Sequence, residues 1–189
     1  MPKLYIIAGC NGAGKTTTSY TVLPEILSCK EFVNADEIAR GLSPFQPETV
    51  SFQAGRIMLN RIKALLHGKN DFAFETTLSS ISYVPLIEEA KEIGYTIILI
   101  FFWLDSVELA KARVKQRVEK GGHNIPEDII ERRYVRGRKN FFYLYRALCD
   151  QWLIYDNSFE YPEIIAVGNE KLTTSVFNFN LWQKFEIVK

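Results

Sequence analysis

Short apolar runs alternate with longer amphipathic stretches along this chain. The apolar runs predict strands at residues 4–8, 32–34, 72–74, 96–104, 152–155 and 164–167. Hydrophobic residues recurring at helical spacing predict helices at 15–27, 36–41, 48–66, 83–93, 105–120 and from Pro126 onward, with a last amphipathic piece at 175–185. This alternation is typical of a parallel sheet with crossover helices. We therefore expect one α/β domain over residues 1–189, with five or six mostly parallel strands in a three-layer sandwich.

Composition narrows the class of protein without identifying it. Hydrophobic residues make up 47% of the 189-residue chain and charged residues 24%, which is typical of a globular protein rather than a disordered one. The net charge of +1 gives no overall attraction to nucleic acid or anionic lipid, so nucleic acid is not the expected partner. The longest apolar run, 96–104, is about half as long as a membrane-spanning helix needs to be.

The cysteines and the amino terminus indicate a compartment. Cys10, Cys29 and Cys149 are odd in number and lack the spacing of a metal site, which favours free thiols in a reducing environment. The first residues lead directly into a predicted strand, and we read no signal peptide there. We expect a cytoplasmic protein without membrane contact.

A phosphate-binding motif follows the first predicted strand. Residues 9–16, GCNGAGKT, match the P-loop pattern GxxxxGK[ST] between a strand and a helix. Its glycines allow backbone amides to approach phosphate oxygens, Lys15 would reach the β- and γ-phosphates, and the Thr16 hydroxyl would bind Mg²⁺. The residues predicted to bind the nucleotide are Gly9, Asn11, Gly12, Ala13, Gly14, Lys15, Thr16 and Thr17. The motif predicts the P-loop NTPase fold, with ATP and Mg²⁺ as cofactors.

A P-loop alone does not separate kinases from ATPases, GTPases or motor domains. The guanine-reading pattern Asn/Thr-Lys-x-Asp is not found in the sequence, which disfavours a GTPase. Asp105, after the apolar run 96–104, is a candidate for the Walker-B acid. We favour the alternative, in which Asp105 caps the helix beginning at Ser106.

Acidic residues follow two further strands. Asp36 lies just past the second strand, on the edge where doubly wound sheets bind ligands, and is the candidate general base for an alcohol acceptor. The alternative is that Asp36 or Glu37 caps the next helix. Glu75 ends the third strand and is predicted to meet water, Mg²⁺ or substrate hydroxyls, with Thr76 and Thr77 adding hydroxyl contacts. A solvated strand end with a turn is the alternative there.

Arginines cluster on two predicted helices joined by Gly121-Gly122. They are Arg113, Arg117, Arg132, Arg133 and Arg136. An arginine-rich lid over residues 113–138 would bind phosphate oxygens and exclude water on closure. The alternative is a solvated face whose arginines pair with nearby acids. His123, after the two glycines, is a weaker candidate for phosphate contact.

Four segments together resemble the zeta-toxin-like P-loop kinases. They are residues 9–17, 34–36, 74–78, and 121–126 with 132–134. The resemblance extends from the first strand to about residue 158. It implies phosphorylation of the 3′-hydroxyl of the amino sugar in UDP-N-acetylglucosamine, and an antitoxin protein as partner.

The resemblance also implies roles for individual residues. Asp36 would be the base and Glu75 would contact the nucleotide sugar. Arg117 and Arg133 would act from the lid as catalytic residues together with Lys15. Asn157, after a late strand, occupies the place of an adenine-side contact.

Two other functions remain open from the sequence. Nucleotide, nucleoside and polynucleotide 5′-hydroxyl kinases share this architecture, although a basic surface strip would be expected of a nucleic-acid enzyme. An ATP-dependent switch or toxin component could instead act by binding a partner, which predicts a large exposed apolar patch and no acceptor-dependent turnover.

Overall fold

A computed structural model describes residues 1–122 and 124–187 of the chain. The strands are β1 (Lys3–Gly9), β2 (Glu31–Val33), β3 (Phe72–Thr76), β4 (Thr96–Trp103), β5 (Gln151–Asp156), β6 (Glu163–Asn169) and β7 (Leu172–Val176). The helices are α1 (Lys15–Thr21), α2 (Ala35–Leu42), α3 (Ser51–His67), α4 (Val84–Glu92), α5 (Val107–Glu119), α6 (Glu127–Asn140), α7 (Arg146–Leu148) and α8 (Phe179–Glu186). His123, the weaker candidate for phosphate contact, lies outside the described residues.

All described strands form one sheet of order β2-β3-β1-β4-β5-β6-β7. The first five run parallel, and β6 and β7 continue the sheet antiparallel. The strand β1 is the third in this order, between β3 and β4. In the register, Ile7 pairs with Glu75 and Gly9 with Phe102, so the loop after β1 emerges beside the carboxyl end of β3. This edge is where ligands bind in doubly wound sheets.

The centre of the sheet is buried on both faces. Every residue of β1 from Leu4 to Gly9 is buried, although successive side chains point to opposite sides. Helices therefore cover both faces, as expected for parallel strands joined by crossover helices. The predicted α/β three-layer fold is confirmed.

The main difference from the predicted sheet is β7, which raises the number of strands from the expected five or six to seven in the described part. The predicted amphipathic piece at 175–185 is divided, because β7 ends at Val176 and α8 begins at Phe179. All five residues of β7 are exposed, so the strand lacks the apolar pattern by which strands are recognised.

Parts of the predicted helices are π-helical or 3₁₀ rather than α-helical. A π-helical segment, Val22–Ile26, forms the second half of the helix predicted at 15–27, and another, Phe141–Tyr145, connects α6 to α7. A 3₁₀ turn, Pro47–Val50, precedes α3. Within the described ranges, no helix is both long and apolar enough to cross a membrane.

The interpretation of Asp105 as a helix cap is wrong. Ser106 is the N-cap of α5, and its hydroxyl accepts a hydrogen bond from the Leu109 amide at 3.2 Å. The Asp105 carboxylate instead lies 3.3 Å from Lys184 Nζ near the surface. Because the Ser106 hydroxyl binds an amide in the first turn of α5, it takes the capping role that was expected of Asp105.

The three cysteines are free, as predicted, and all three are buried. Burial raises the pKa of Cys10 to about 11, partly offset by the positive charge of Lys15. Burial also raises the pKa of Cys149. These thiols pack as small apolar side chains.

Arg138 attaches α8 to the body of the protein. Its Nη2 donates to the carbonyls of Lys184, Phe185 and Ile187 at the end of α8. Its guanidinium lies 5.9 Å from the centroid of the Trp103 ring. Although Arg138 belongs to the predicted lid region, its contacts are structural.

Replacing Arg138 with Ala should lower the free energy of unfolding by about 2–3 kcal/mol, because three carbonyls lose a charged donor. Urea denaturation followed by circular dichroism would measure it. Arg136→Ala, at an exposed position of the same helix, should change stability by less than about 0.5 kcal/mol. Equal losses in the two variants would contradict the anchoring role of Arg138.

Candidate functional site

The loop after β1 is shaped by glycines in left-handed conformations. Gly12 has φ 80° and Gly14 has φ 77°. A Cβ at Gly12 would lie 2.8 Å from the Ala110 carbonyl oxygen, and one at Gly14 would lie 2.4 Å from Asn157 Nδ2. Neither position has the backbone conformation or the space for a larger residue. The loop therefore folds tightly between α5 and the turn after β5, and α1 begins at its end.

Asn157 and Arg113 support this loop from behind. Asn157 Nδ2 donates to the Ala13 carbonyl at 2.7 Å, and the side chain is buried. Arg113 donates from Nη1 to the Asn157 carbonyl at 2.7 Å and from Nη2 to the Ser158 carbonyl at 3.0 Å. Arg113, counted among the lid arginines, thus holds the turn after β5. The adenine contact of Asn157 stays a prediction.

Lys15, Thr16 and Glu75 form a charged network at the carboxyl ends of β1 and β3. Lys15 Nζ donates to the Cys10 carbonyl at 2.9 Å and lies 3.5 Å from Glu75 Oε1. Thr16 Oγ1 donates to Glu75 Oε2 at 2.6 Å. Because Glu75 accepts this hydrogen bond, Glu75 rather than Asp105 is the acid beside the P-loop threonine.

Asn34 is a member of this network that sequence reasoning did not assign. Its Nδ2 donates to Glu75 Oε2 at 2.8 Å, and its Oδ1 accepts from the amides of Asp36 at 2.8 Å and Glu37 at 3.3 Å. Asn34 is therefore the N-cap of α2, and the alternative in which Asp36 or Glu37 caps that helix is wrong. The signal available in the sequence was an asparagine directly before a helix start.

A cavity of about 950 Å³ opens over the loop, and we call it the Lys15 cavity. Predicted site residues on its wall are Asn11, Gly12, Gly14, Lys15, Thr16, Thr17, Asp36, Glu75 and Arg117. Those not on its wall are Gly9, Ala13, Thr76, Thr77, Arg133 and Asn157. Asp36 is exposed there, on the first turn of α2, and Asp105 is absent from the wall.

Arg133 reaches the loop from α6, although it does not line the cavity. Its Nη1 donates to Asn11 Oδ1 at 3.1 Å. Burial lowers the pKa of Arg133, while the nearby Asp36 carboxylate acts in the opposite direction. Arg132 and Arg136 are exposed. Of the arginines expected in a lid, Arg113 and Arg117 therefore line the Lys15 cavity, and Arg133 reaches the loop through Asn11.

Thr76 and Thr77 shape the turn after β3. Thr76 Oγ1 accepts a hydrogen bond from the Leu78 amide at 3.0 Å, and Thr77 Oγ1 lies 2.9 Å from Ser79 Oγ. The Thr77 carbonyl packs against Gly137 of α6, where a Cβ would approach to 2.6 Å. Contact of these threonines with substrate stays a prediction.

The donor set around Thr16 fits a magnesium nucleotide better than a metal held by protein alone. Among residues 1–122 and 124–187, no group of three or more His, Cys, Asp or Glu side chains is arranged to hold a metal ion. Hydroxyl and carboxylate oxygens, the ligands that Mg²⁺ prefers, meet at Thr16 and Glu75. Phosphate oxygens would supply the remaining ligands.

Comparison with known families agrees with this geometry. The family model for Zeta toxin matches residues 1–161. The chain belongs to the Zeta toxin family. The resemblance seen in the four sequence segments is thereby confirmed. An uncharacterized protein of Haemophilus influenzae is 32% identical over 132 residues, which cover 70% of this chain and 92% of that protein.

Solved structures extend the likeness to the whole fold of this zeta toxin family member. The AvrRxo1-ORF1:AvrRxo1-ORF2 complex with sulphate ions has a TM-score of 0.76 at 19% identity, covering 98% of this chain. This chain spans only 63% of that chain's length. The PezAT chromosomal toxin–antitoxin system of Streptococcus pneumoniae has a TM-score of 0.69 at 16% identity and covers 98% of this chain and 78% of that one.

A further structure, the Pnkp1/Rnl/Hen1 RNA repair complex, is 25% identical with a TM-score of 0.54. The match covers 73% of this chain and 44% of that one.

Proposed function

We propose that this zeta toxin family protein is a cytoplasmic kinase that transfers the γ-phosphate of ATP to a hydroxyl of a small molecule, with a nucleotide sugar such as UDP-N-acetylglucosamine as the favoured acceptor. The observation that carries the proposal is the shared wall of the Lys15 cavity. It places the P-loop lysine and threonine together with an exposed carboxylate, Asp36, on a different element. A nucleotide site and a proton acceptor facing one cavity are what phosphoryl transfer to an alcohol requires.

Binding of ATP is supported by the form of the loop. Left-handed glycines and the amino terminus of α1 present backbone amides to anionic oxygens. Lys15 is only 5% exposed, so its charge acts in a poorly solvated site where it is worth more than in water. The related AvrRxo1-ORF1:-ORF2 complex has a structure with ATP.

The Mg²⁺ ion would neutralise charge on the phosphates and orient them. Thr16 would hold it through its hydroxyl, and Glu75 accepts a hydrogen bond from that hydroxyl at 2.6 Å. Asn34 binds the same Glu75 oxygen at 2.8 Å, which fixes the carboxylate in place. Glu75 would therefore hold the Thr16 hydroxyl in place as a ligand of the metal, and its negative charge would attract the cation.

Asp36 would accept the proton of the acceptor hydroxyl. As the hydroxyl oxygen forms its bond to the γ-phosphorus, the bond from that phosphorus to the bridging oxygen breaks and ADP leaves. Asn34 binds the amide of Asp36, not its side chain, so the carboxylate remains available to the cavity. A base at this position also orients the attacking oxygen.

Arg117 and Arg133 would stabilise the charge that spreads over the transferred phosphoryl group. A variant with both residues changed to Ala should bind ATP nearly normally, while its kcat falls by about 10²–10³-fold, because arginines of this kind act chiefly in the transition state. Calorimetry and steady-state kinetics would measure the two effects. The matched control changes the exposed Arg132 and Arg136 to Ala and should keep kcat within about threefold. An equal loss of kcat in both double variants would contradict the assignment.

A polynucleotide 5′-hydroxyl kinase is the second candidate, because the RNA repair complex containing Pnkp1 shares the fold. The net charge of +1 favours a small acceptor over nucleic acid. An antitoxin protein is also proposed as partner, since the PezAT structure comes from a toxin–antitoxin system.

The proposed function is tested by incubating the protein with ATP, Mg²⁺ and a panel of acceptors. The panel contains UDP-N-acetylglucosamine, nucleosides, simple sugars and an oligonucleotide with a 5′-hydroxyl. Mass spectrometry should detect one added phosphate on a small-molecule acceptor. Phosphorylation of the oligonucleotide alone would support the second candidate. Absence of an added phosphate on every panel member would contradict both.

A further inference from the structure

A second cavity, of about 610 Å³, lies between α8 and the helical segment that follows α6. We call it the α8 groove. The residues that line it are Phe142, Tyr143, Arg146, Gln183, Glu186 and Ile187. None of them lines the Lys15 cavity, so the α8 groove is a separate feature of the surface.

Arg146 stands in this groove without a counter-ion. Its guanidinium lies 5.2 Å from the centroid of the Phe142 ring, a contact that orients the planar fork. Its Nε is buried and makes no hydrogen bond within the described part of the chain. An arginine fork binds the two oxygens of a carboxylate or phosphate in a pair of hydrogen bonds. The groove therefore offers an unpaired, oriented cation to an anionic group from outside.

Three further cations lead along α6 toward the groove. Arg132, Arg136 and Lys139 are exposed, and their spacing of four and three residues places them on one face of the helix. We call them the basic stripe. Tyr143, which is 80% exposed, follows one turn after Lys139 and lines the groove. The distance from Arg132 to Tyr143 along the helix is about 16 Å at 1.5 Å per residue.

The charge of this region differs sharply from that of the whole chain. Residues 132–149 contain six Arg or Lys and no Asp or Glu, whereas the chain has a net charge of +1. Two of the six have partners described above, since Arg133 donates to Asn11 and Arg138 to the end of α8. The other four are the basic stripe and Arg146.

No acid neutralises the basic stripe. Glu131, directly before Arg132, lies 3.2 Å from Lys111 on α5. Among residues 1–122 and 124–187, no ion pair joins any cation of the stripe to a carboxylate. A solvated helix face usually mixes acids and bases three or four residues apart, because like charges at that spacing repel. A row of bases alone favours a face that binds an anionic partner.

The surroundings favour an acidic protein segment over nucleic acid. Glu186 lies on the groove wall and Asp128 lies one turn before Arg132, so a continuous phosphate chain would meet negative charge at both ends. Four cations also give weak binding of nucleic acid at physiological salt. Tyr143 and Ile187, which is 60% exposed, add an apolar contact that suits a protein side chain.

We propose that the basic stripe and the α8 groove together form a docking surface for an acidic segment of a partner protein. Carboxylates of the partner pair with the stripe, a further carboxylate binds the fork of Arg146, and an apolar side chain packs against Tyr143 and Ile187. Because this surface shares no residue with the wall of the Lys15 cavity, the inference does not depend on the proposed kinase function.

The test measures binding of a fluorescein-labelled helical peptide by fluorescence anisotropy. The peptide is alanine-based and carries four glutamates on one face and one phenylalanine. It is titrated with the full chain at about 0.15 M salt, where long-range attraction is largely screened. The matched peptide has glutamine in place of every glutamate, and it should bind at least about tenfold more weakly.

Protein variants locate the binding surface. Changing all three cations of the basic stripe to Gln should weaken binding of the acidic peptide about tenfold, because three exposed ion pairs are lost. The control changes Lys63, Lys115 and Lys171 to Gln. These lysines are exposed and lie on α3, on α5 and between β6 and β7. The control removes the same net charge and should keep the affinity within about twofold.

Two changes in the groove separate the fork from simple attraction. Arg146→Lys keeps the charge but not the paired donors, and it should weaken binding about threefold. Tyr143→Ala should weaken it by a similar factor, and Tyr143→Phe should restore it, because the ring supplies the apolar contact. Circular dichroism would establish that each variant is folded.

The outcomes decide between the possible partners. Equal affinity for the two peptides, or equal losses in the stripe variant and the lysine control, overturns the docking surface. A single-stranded RNA that binds more tightly than the acidic peptide, and loses this affinity in the stripe variant, overturns the assignment to protein in favour of nucleic acid. A loss confined to the stripe and groove variants supports the proposal.

Discussion

Replacing Asp36 with Asn is expected to lower the rate of phosphoryl transfer by about 10²–10⁴-fold, because an amide cannot accept the proton of the acceptor hydroxyl. Affinity for ATP should stay nearly unchanged, since Asp36 lies on α2 and not on the loop. The backbone should also be preserved, because Asn34 caps the helix through the Asp36 amide. Rapid-quench kinetics with labelled ATP would measure the transfer step, and calorimetry the affinity.

Asp105→Asn is the matched control for this experiment. It makes the same chemical change at the end of β4, where Asp105 pairs with Lys184 near the surface. Transfer should stay within about twofold of the unmodified protein. If Asp36→Asn transfers phosphate at the normal rate, Asp36 is not the base. If Asp105→Asn is the slow variant, the acid required for transfer follows β4 instead.

Replacing Lys15 with Met is expected to have the other large effect. The ammonium is the buried positive charge of the loop, and its removal should lower kcat by about 10²–10³-fold. ATP affinity should fall about tenfold or more, as a charged hydrogen bond to phosphate is lost. Methionine keeps most of the apolar stem, so the packing around residue 15 should be retained. Calorimetry and steady-state kinetics would measure both losses.

Lys91→Met serves as the control for charge. Lys91 lies 3.5 Å from Asp150, away from the Lys15 cavity. The Lys91→Met variant should bind ATP normally. Circular dichroism would establish that Lys15→Met is folded, so that a loss of ATP affinity can be assigned to the missing charge. Undiminished ATP affinity in folded Lys15→Met would contradict nucleotide binding by this loop.

The sequence predicted the parts of the site that depend on local pattern. The P-loop motif is continuous and its strand–loop–helix setting is read directly from the chain. Asp36 and Glu75 were placed at the ligand-binding edge because each follows a short apolar run. These positions needed only the order of elements along the chain.

Contacts between distant segments could not be predicted in the same way. The hydrogen bond from Thr16 to Glu75 joins residues 59 positions apart and depends on β3 pairing directly with β1. The support of Ala13 by Asn157 depends equally on the turn after β5 reaching the loop. Neither is encoded in local spacing.

The arginines show a second limit of sequence reasoning. Helical spacing places Arg113 and Arg117 on one face, but it does not tell which partners that face meets. Arg113 holds two carbonyls after β5, and Arg138 holds the end of α8. Their charge and position resemble those of lid residues, and only tertiary contacts reveal the structural role.

We propose that the loop around Lys15 binds a triphosphate while Asp36 faces its terminal phosphate across the cavity. A crystal structure with Mg²⁺ and a β,γ-imido analogue of ATP would show both features. We expect the terminal phosphate within hydrogen-bonding distance of Lys15 Nζ, the metal on Thr16 Oγ1, and the Asp36 carboxylate directed at that phosphate. Phosphates bound outside residues 9–16, or an Asp36 side chain turned away from them, would contradict it.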